Sequence, residues 1–134
     1  MIQRGDIEAI VTWVPAGSKV LDLGCGNGDL LARLSQEKHV NGLGVDIDPA
    51  NIVTAVQKGL CVIQQDIEDG LANFDDTHFD VVIFAYSLQV LERPHAVLER
   101  IVGIGKEAII TFPNFGHWRS RLSLLFSGRM PKTK

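Results

Sequence analysis

Short apolar runs alternate along the chain with amphipathic segments. Five runs are apolar at nearly every position, as strands buried on both faces of a parallel sheet are. These runs cover residues 20–23, 43–45, 60–63, 79–84 and 108–112. Between them, apolar residues recur at helical spacing, in groups formed by Leu30, Leu31 and Leu34, by Ile52, Val53 and Val56, and by Val97, Leu98, Ile101 and Val102. The alternation predicts an α/β fold with a doubly wound, mostly parallel sheet and right-handed crossovers.

Helix boundaries are visible in the same pattern. Asp48 stands directly before Pro49, a pair that supplies an N-cap and a proline at the first helical position. Gly59 can adopt the left-handed conformation that ends a helix, and Pro94 marks the start of another. The second predicted helix should therefore run from about residue 49 to residue 58.

The length of 134 residues, of which 46% are hydrophobic and 22% charged, is typical of one globular domain covering residues 1–134. No segment approaches the roughly 20 apolar residues of a membrane span, and the first residues lack the apolar part of a signal peptide. We therefore expect a cytoplasmic protein without a membrane partner. Cys25 and Cys61 belong to no cysteine or histidine cluster, so neither a disulfide framework nor a metal site is expected.

Charge is unevenly distributed. All 16 acidic residues lie within residues 1–107, whereas residues 108–134 carry five Lys or Arg and no acid. A basic segment of this kind can contact an acidic partner, but solvated arginines are the commoner explanation. Nucleic acid is therefore not an expected partner.

Three alternate glycines follow the first predicted strand, at Gly24, Gly26 and Gly28. Such a loop permits a tight turn and a close approach of backbone amides to a small-molecule ligand. The dinucleotide pattern G-x-G-x-x-G requires glycine at the position of Asp29, and the loop lacks the Gly-Lys-Ser/Thr of a P-loop. Asp22 and Asp29 flank the loop and favour a ligand that carries an ammonium and a sulfonium over a pyrophosphate. S-adenosylmethionine is such a ligand, and an NAD-dependent oxidoreductase is disfavoured.

Acidic residues also follow the second and third predicted strands. Asp46 lies about 20 residues beyond the glycines, where a carboxylate can accept both hydroxyls of a ribose. Asp66, with Ile67 beside it, can accept a hydrogen bond from an adenine amine. An acid at a strand end is individually more often a helix cap or part of a solvated turn, but these acids share one register with the glycine loop. The predicted cofactor-binding residues are Asp22, Gly24, Cys25, Gly26, Gly28, Asp46, Ile47, Asp66, Ile67 and Ala85.

The segments 21–28 and 44–48, together with Asp66, resemble class I S-adenosylmethionine-dependent methyltransferases over almost the whole chain. A narrower resemblance rests on residues 41–48, 59–66, 87–91 and 112–121, which look like the MetW methionine-biosynthesis proteins of bacteria. The resemblance implies a Rossmann-like fold and binding of S-adenosylmethionine or S-adenosylhomocysteine. It also implies a role in methionine biosynthesis beside a homoserine O-acyltransferase, without assigning methyltransferase catalysis.

Class I methyltransferases usually have seven strands, and the resemblance implies that this chain, ending at Lys134, carries strands one to five and lacks the C-terminal edge strands. An uncovered edge and apolar face would favour self-association. We therefore expect a C-terminally truncated domain that can form homo-oligomers through the exposed edge.

Candidates for the acceptor side of a methyltransferase follow the fourth strand. Tyr86 and Gln89 could face a methyl acceptor, and Ala85 could line the methionine end, although packing and local hydrogen bonding are the commoner explanation for such a segment. His117 could act as a base, but local hydrogen bonding is the commoner role for such a residue. A helical apolar stripe is expected in the C-terminal third, either in the core or as the contact surface for the acyltransferase, formed by Trp118, Leu122, Leu125 and Phe126. Two functions stay open: a methyltransferase on an unknown small molecule, and a cofactor-sensing partner subunit.

Overall fold

The computed structural model describes residues 4–71, 74, 79–84, 92–111 and 123–127. Within these residues the helices are α1 (Arg4–Trp13), α2 (Asp29–Lys38), α3 (Pro49–Gln57), α4 (Ile67–Gly70) and α5 (Pro94–Ile104). The strands are β1 (Lys19–Leu23), β2 (Asn41–Asp46), β3 (Val62–Gln64), β4 (Phe79–Phe84), β5 (Gly105–Thr111) and β6 (Ser123–Ser127).

The strands form one sheet in the order β3-β2-β1-β4-β5-β6. Strands β1 to β5 are parallel, and β6 pairs with β5 in the antiparallel direction. Because β1 lies between β2 and β4, the strand order reverses beside β1, and the carboxyl ends of these strands are where open α/β sheets bind ligands. The predicted doubly wound α/β fold is confirmed.

Apolar side chains cover both faces of the sheet. On one face, Leu21, Leu23 and Phe84 pack with Val97 and Ile101 of α5. On the other face, strand residues such as Val20 and Ile83 pack with Ile10 of α1 and with Val14, which directly follows that helix. Leu30, Leu31 and Leu34 of α2 pack in the same cluster. The nearly continuous apolar character of β1 and β4 follows from this double burial.

The predicted boundaries of α3 and the predicted start of α5 are confirmed. The Asp48 carboxylate accepts a hydrogen bond of 2.9 Å from the Ala50 amide, and Pro49 is the first residue of α3. Gly59 has a φ of +85°, and Pro94 begins α5. The third strand begins two residues later than its apolar run suggests, at Val62.

The apolar pattern of α3 predicts a helix correctly but not its buried face. Ala55 is fully buried, whereas Val53 and Val56 are 56% and 55% exposed. The small Ala55 faces Gly28, and this close approach brings α3 against the start of α2. The sequence pattern carries no signal for this contact between two helices.

Two helices lie outside the predictions. Helix α1 has apolar residues at helical spacing, Ile7, Ile10 and Val11, and they pack in the core beside α2 together with Val14, which directly follows the helix. Helix α4 has only four residues, so its sequence contains less than two turns of periodic signal. Its start is marked by Asp66, whose carboxylate accepts from the Glu68 amide at 3.0 Å.

The prediction of a helix carrying Leu125 and Phe126 is wrong. Residues Ser123–Ser127 form β6, which pairs with β5 from Glu107↔Ser127 to Thr111↔Ser123. Three apolar residues between serines suit a strand as well as a helix. The strand forms because it pairs with the backbone N–H and C=O groups along the edge of β5. Trp118, Leu122 and His117 lie outside the described residues.

Strand β6 also corrects the expectation that the sheet contains only strands one to five. The edge of β5 that was expected to be uncovered is paired with β6 along five residue pairs. Self-association through that edge would therefore require β6 to leave the sheet. Among the helices of the described residues, none is both long and apolar enough to traverse a bilayer.

Candidate functional site

The glycine loop, residues 24–28, connects β1 to α2 and lies against the end of β2. Gly24, Gly26 and Gly28 have φ angles of +73°, +59° and +90°, a region that residues with a Cβ rarely adopt. The Gly24 and Cys25 amides both donate to the Val45 carbonyl, at 2.7 and 3.0 Å. The loop therefore turns over the carboxyl end of the sheet, at the position where the strand order reverses.

Asp46, the last residue of β2, holds the loop with its side chain. Its Oδ2 accepts from the Gly26 amide at 2.8 Å, and its Oδ1 accepts from the Asp48 amide at 2.9 Å and from Asn51 Nδ2 at 3.5 Å. The residue is 8% exposed. A carboxylate offers about four lone-pair positions, so these contacts leave acceptor capacity for a hydroxyl of a ligand.

Asp22 lies in β1 with 2% of its surface exposed and close to Asp46. Burial, and then the negative charge of Asp46, raises the pKa of Asp22 from 3.8 to about 7. An uncompensated carboxylate in this position costs folding free energy. Such a group is the kind that a cationic ligand can stabilise in its ionised form.

The raised pKa of Asp22 predicts a pH dependence of stability. Between pH 3.8 and about 7 the unfolded chain has lost this proton whereas the folded chain retains it. The free energy of unfolding should therefore fall as pH rises through this window, by at most about 1.4 kcal/mol per pH unit, and stay level above it. Chemical unfolding of the wild type and of Asp22→Asn at several pH values measures the effect, because asparagine cannot ionise. Parallel pH curves for the two proteins would contradict the assignment.

Asp29, at the first position of α2, carries a charge that is compensated. It forms an ion pair with the Lys58 ammonium, and the hydrogen bond from Lys58 lowers the pKa of Asp29. The sequence argument that Asp22 and Asp29 jointly give the loop its negative character therefore needs correction. The structure replaces Asp29 with Asp46, which lies beside Asp22 under the loop.

Cys25 fills the space beneath the loop. Its thiol contacts the Gly26 carbonyl at 3.6 Å, and burial followed by the charges of Asp22 and Asp46 raises the pKa of the thiol to about 12. The thiol therefore stays protonated and has a packing role. Gly44 provides the room, because a Cβ at this position would lie 2.8 Å from Cys25 Sγ.

The predicted adenine residues lie on the neighbouring strand end. The Gln65 amide donates to the Asp46 carbonyl at 2.9 Å, which brings the end of β3 beside Asp46. Asp66 is exposed and caps α4, and Ile67 is half-buried against the core. Ile47 exposes 60% of its surface although it is a large apolar residue. These residues thus offer apolar surface and a carboxylate beside Asp46.

Glu68 and Lys58 are two residues in this region that the sequence analysis did not identify. The Glu68 carboxylate accepts from the amides of Glu92 and Arg93, both at 2.9 Å, and these bonds lower the pKa of Glu68. Lys58 donates to the carbonyl of Asn27. The Glu68 and Lys58 contacts both join residues more than 20 positions apart, so no local sequence pattern reveals them. Ala85, Tyr86 and Gln89 lie outside the described residues, directly after β4, whose last residue Phe84 pairs with Leu23 beside the loop.

A cleft of about 340 Å³ lies at the opposite end of the sheet, between residues 15–18 and the amino ends of β4 and β5. The lining residue Asp80 already has partners, because its carboxylate accepts from the Lys19 amide at 2.9 Å and lies 3.5 Å from the Lys106 ammonium. The amino ends of parallel strands are not where α/β sheets bind ligands. The glycine loop is therefore the better candidate site. Within the described residues, no three His, Cys, Asp or Glu side chains are grouped to hold a metal ion.

Known proteins resemble the chain in sequence and in fold. The family model described as "Methionine biosynthesis protein MetW" matches residues 4–134. The chain is 38% identical over 135 residues to the bifunctional methionine biosynthesis protein MetXA/MetW of Rhodopirellula baltica, a match that covers 95% of this chain and 22% of that protein. A SAM-dependent methyltransferase from Archaeoglobus fulgidus superimposes with a TM-score of 0.72 at 25% identity, over 82% of this chain and 51% of that one. A TehB-like SAM-dependent methyltransferase from Corynebacterium glutamicum gives 0.66 at 29% identity, over 81% and 61%.

Proposed function

The chain belongs to the MetW family of methionine biosynthesis proteins, which its match over residues 4–134 shows, and from this premise we propose that it binds S-adenosylmethionine or S-adenosylhomocysteine at the glycine loop. The observation that carries the proposal is the hydrogen bond between the loop and β2, in which the Gly26 amide donates to the Asp46 carboxylate. The buried carboxyl group of Asp22 lies close to this contact. The fold it shares with SAM-dependent methyltransferases gives independent support.

Each part of an adenosyl ligand has a matching group. Asp46 accepts from the ribose hydroxyls, and Asp66 accepts from the adenine amine while Ile47 and Ile67 provide apolar contact. The backbone of the glycine loop, including Cys25, lies beside the methionine portion. Asp22 lies below the loop and contributes negative charge in its ionised form, which a cationic ligand stabilises. Ala85 completes the methionine end in this proposal.

The negative site suits the cationic sulfonium and disfavours a pyrophosphate. Asp22 and Asp46 lie close together, and Lys58, whose ammonium donates to the Asn27 carbonyl of the loop, is paired with Asp29. Opposite charges attract most strongly in a partly buried site. NAD is therefore the weaker candidate ligand, in agreement with the missing third glycine of its sequence pattern.

The bound sulfonium would supply an electrophilic methyl group. Methyl transfer would require this chain to align an acceptor with that methyl group and, for an oxygen or nitrogen acceptor, to remove a proton. Tyr86 and Gln89 are the proposed acceptor-side residues. Turnover with candidate small molecules separates a methyltransferase from a subunit that senses the cofactor and regulates a partner.

We further propose that the protein acts in methionine biosynthesis, in the cytoplasm, beside a homoserine O-acyltransferase. The relative from Rhodopirellula baltica carries the names MetXA and MetW in one bifunctional protein, and this chain spans 22% of it. Copurification of the coexpressed proteins tests the partnership. Deletion of residues 114–134 is a poor probe of the contact surface, because it removes β6 from the sheet.

Mass spectrometry of the small molecule that copurifies with the protein tests the ligand class. The expected species is an adenosyl sulfonium or thioether. A nicotinamide dinucleotide would overturn the proposed function.

A further inference from the structure

Lys58 connects the end of α3 to the outer side of the glycine loop, which is the segment from Asn27 to Asp29 where the loop joins α2. Its Nζ donates to the Asn27 carbonyl at 3.0 Å and forms the ion pair with Asp29. The side chain is 29% exposed, so it packs along the protein rather than extending into solvent. The contact spans 31 residues of sequence and joins two crossover segments of the sheet.

The inner side of the loop is held by other groups. The amides of Gly24 and Cys25 bond to Val45, and the amide of Gly26 bonds to Asp46. The outer side, Asn27 to Asp29, has a local contact in which the Asp29 amide donates to Asn27 Oδ1 at 3.1 Å. Of the contacts described here, Lys58 is the one that ties the Asn27 carbonyl to a different element of the fold.

A loop with three left-handed glycines gains more conformational freedom when a contact is lost than a loop of other residues does. We propose that Lys58 is a positioning residue that keeps the glycine loop in its ligand-binding conformation. This inference rests on the proposed function, because it assigns a role to Lys58 within that site. Lys58 acts on the ligand through the backbone of the loop.

The consequence for affinity follows from the population of the binding conformation. When a ligand binds only one conformation of a protein, its apparent Kd rises in proportion to the decrease in the population of that conformation. Exposed ion pairs contribute little to global stability. Loss of the Lys58 contact should therefore change the loop and the affinity while the unfolding transition stays nearly unchanged.

Lys58→Met tests the inference because methionine keeps most of the aliphatic length and removes the ammonium. We expect binding of S-adenosylhomocysteine to weaken by roughly 3- to 10-fold in calorimetry, as a moderate loss of preorganisation implies. In the ligand-free protein, hydrogen exchange at the Gly26 and Gly28 amides should become faster, while the core amides of β1 keep their protection. Lys58→Arg should restore affinity to within about 2-fold, since arginine can donate to the same carbonyl and pair with Asp29.

Lys38→Met is the matched control. Lys38 also donates from Nζ to a backbone carbonyl, that of Val14 at 2.7 Å, but it lies at the opposite end of α2. This variant should leave affinity and loop exchange unchanged. Asp29→Asn should weaken binding less than Lys58→Met does, because the bond from Lys58 to Asn27 persists.

The outcomes separate the two proposals. If the wild type fails to bind S-adenosylhomocysteine, the proposed function is overturned, while the exchange measurement still tests the contact between Lys58 and the loop. If the wild type binds but Lys58→Met binds equally well with unchanged loop exchange, the positioning role is wrong. Faster exchange throughout the chain would also count against it, because the effect would then be global.

Discussion

Replacing Asp46 with alanine is expected to weaken S-adenosylhomocysteine binding by about 2–4 kcal/mol, roughly 30- to 800-fold, as loss of a charged acceptor for two hydroxyls implies. The carboxylate also holds the Gly26 amide at 2.8 Å, so the substitution releases the inner side of the loop as well. Both effects act in the same direction. Isothermal calorimetry of the two proteins measures the difference directly.

Asp48→Ala is the control for this experiment. Asp48 lies two residues beyond Asp46 and caps α3 through the Ala50 amide. Its replacement should cost about 1 kcal/mol of stability, the usual value for a lost cap, and leave the Asp46 carboxylate in place. Equal affinity of Asp46→Ala and wild type, with the fold intact by circular dichroism, would remove Asp46 from the ligand site.

Gly28→Ala should produce the largest loss of stability, about 2–4 kcal/mol in the free energy of unfolding. Gly28 has a φ of +90°, and an added Cβ would lie 2.5 Å from Leu60 Cδ1 and 3.2 Å from Ala55 Cβ. Backbone strain and overpacking therefore add at one position. Urea unfolding of the variant and the wild type provides the measurement.

Gly59→Ala separates these two contributions. Gly59 has a similar φ of +85°, but a Cβ there would meet nothing within 4 Å. Its replacement should cost about 1–2 kcal/mol, the strain alone. If both variants lose the same stability, the close packing of α3 against the loop contributes nothing.

Local patterns account for much of the fold. The runs that became β1, β2, β4 and β5 are apolar because both sheet faces are covered. Asp48 marks the start of α3 through its side-chain cap, and Gly59 marks its end through its left-handed backbone conformation. Helix α1 was within reach of the same reasoning, since Ile7, Ile10, Val11 and Val14 follow helical spacing. Strand β6 was not, because an apolar run of three residues does not distinguish strand from helix without a partner strand.

The candidate site shows the same limit. The sequence places acids at three strand ends and glycines after β1, and parallel pairing then brings Asp46 beside the loop. The charge state of the site depends instead on long-range contacts. Asp29 is compensated by Lys58, and Asp22 is buried beside Asp46, which neither spacing nor composition reveals.

Titration of the same protein preparation with S-adenosylhomocysteine and with NADH tests the central claim most directly. Both ligands carry an adenosine, but only NADH brings a pyrophosphate to the carboxylates of Asp22 and Asp46. We predict that S-adenosylhomocysteine binds at least about 10-fold more tightly, a difference of about 1.4 kcal/mol. NADH binding as tightly as S-adenosylhomocysteine, or more tightly, would contradict the assignment of the glycine loop as an adenosyl-ligand site.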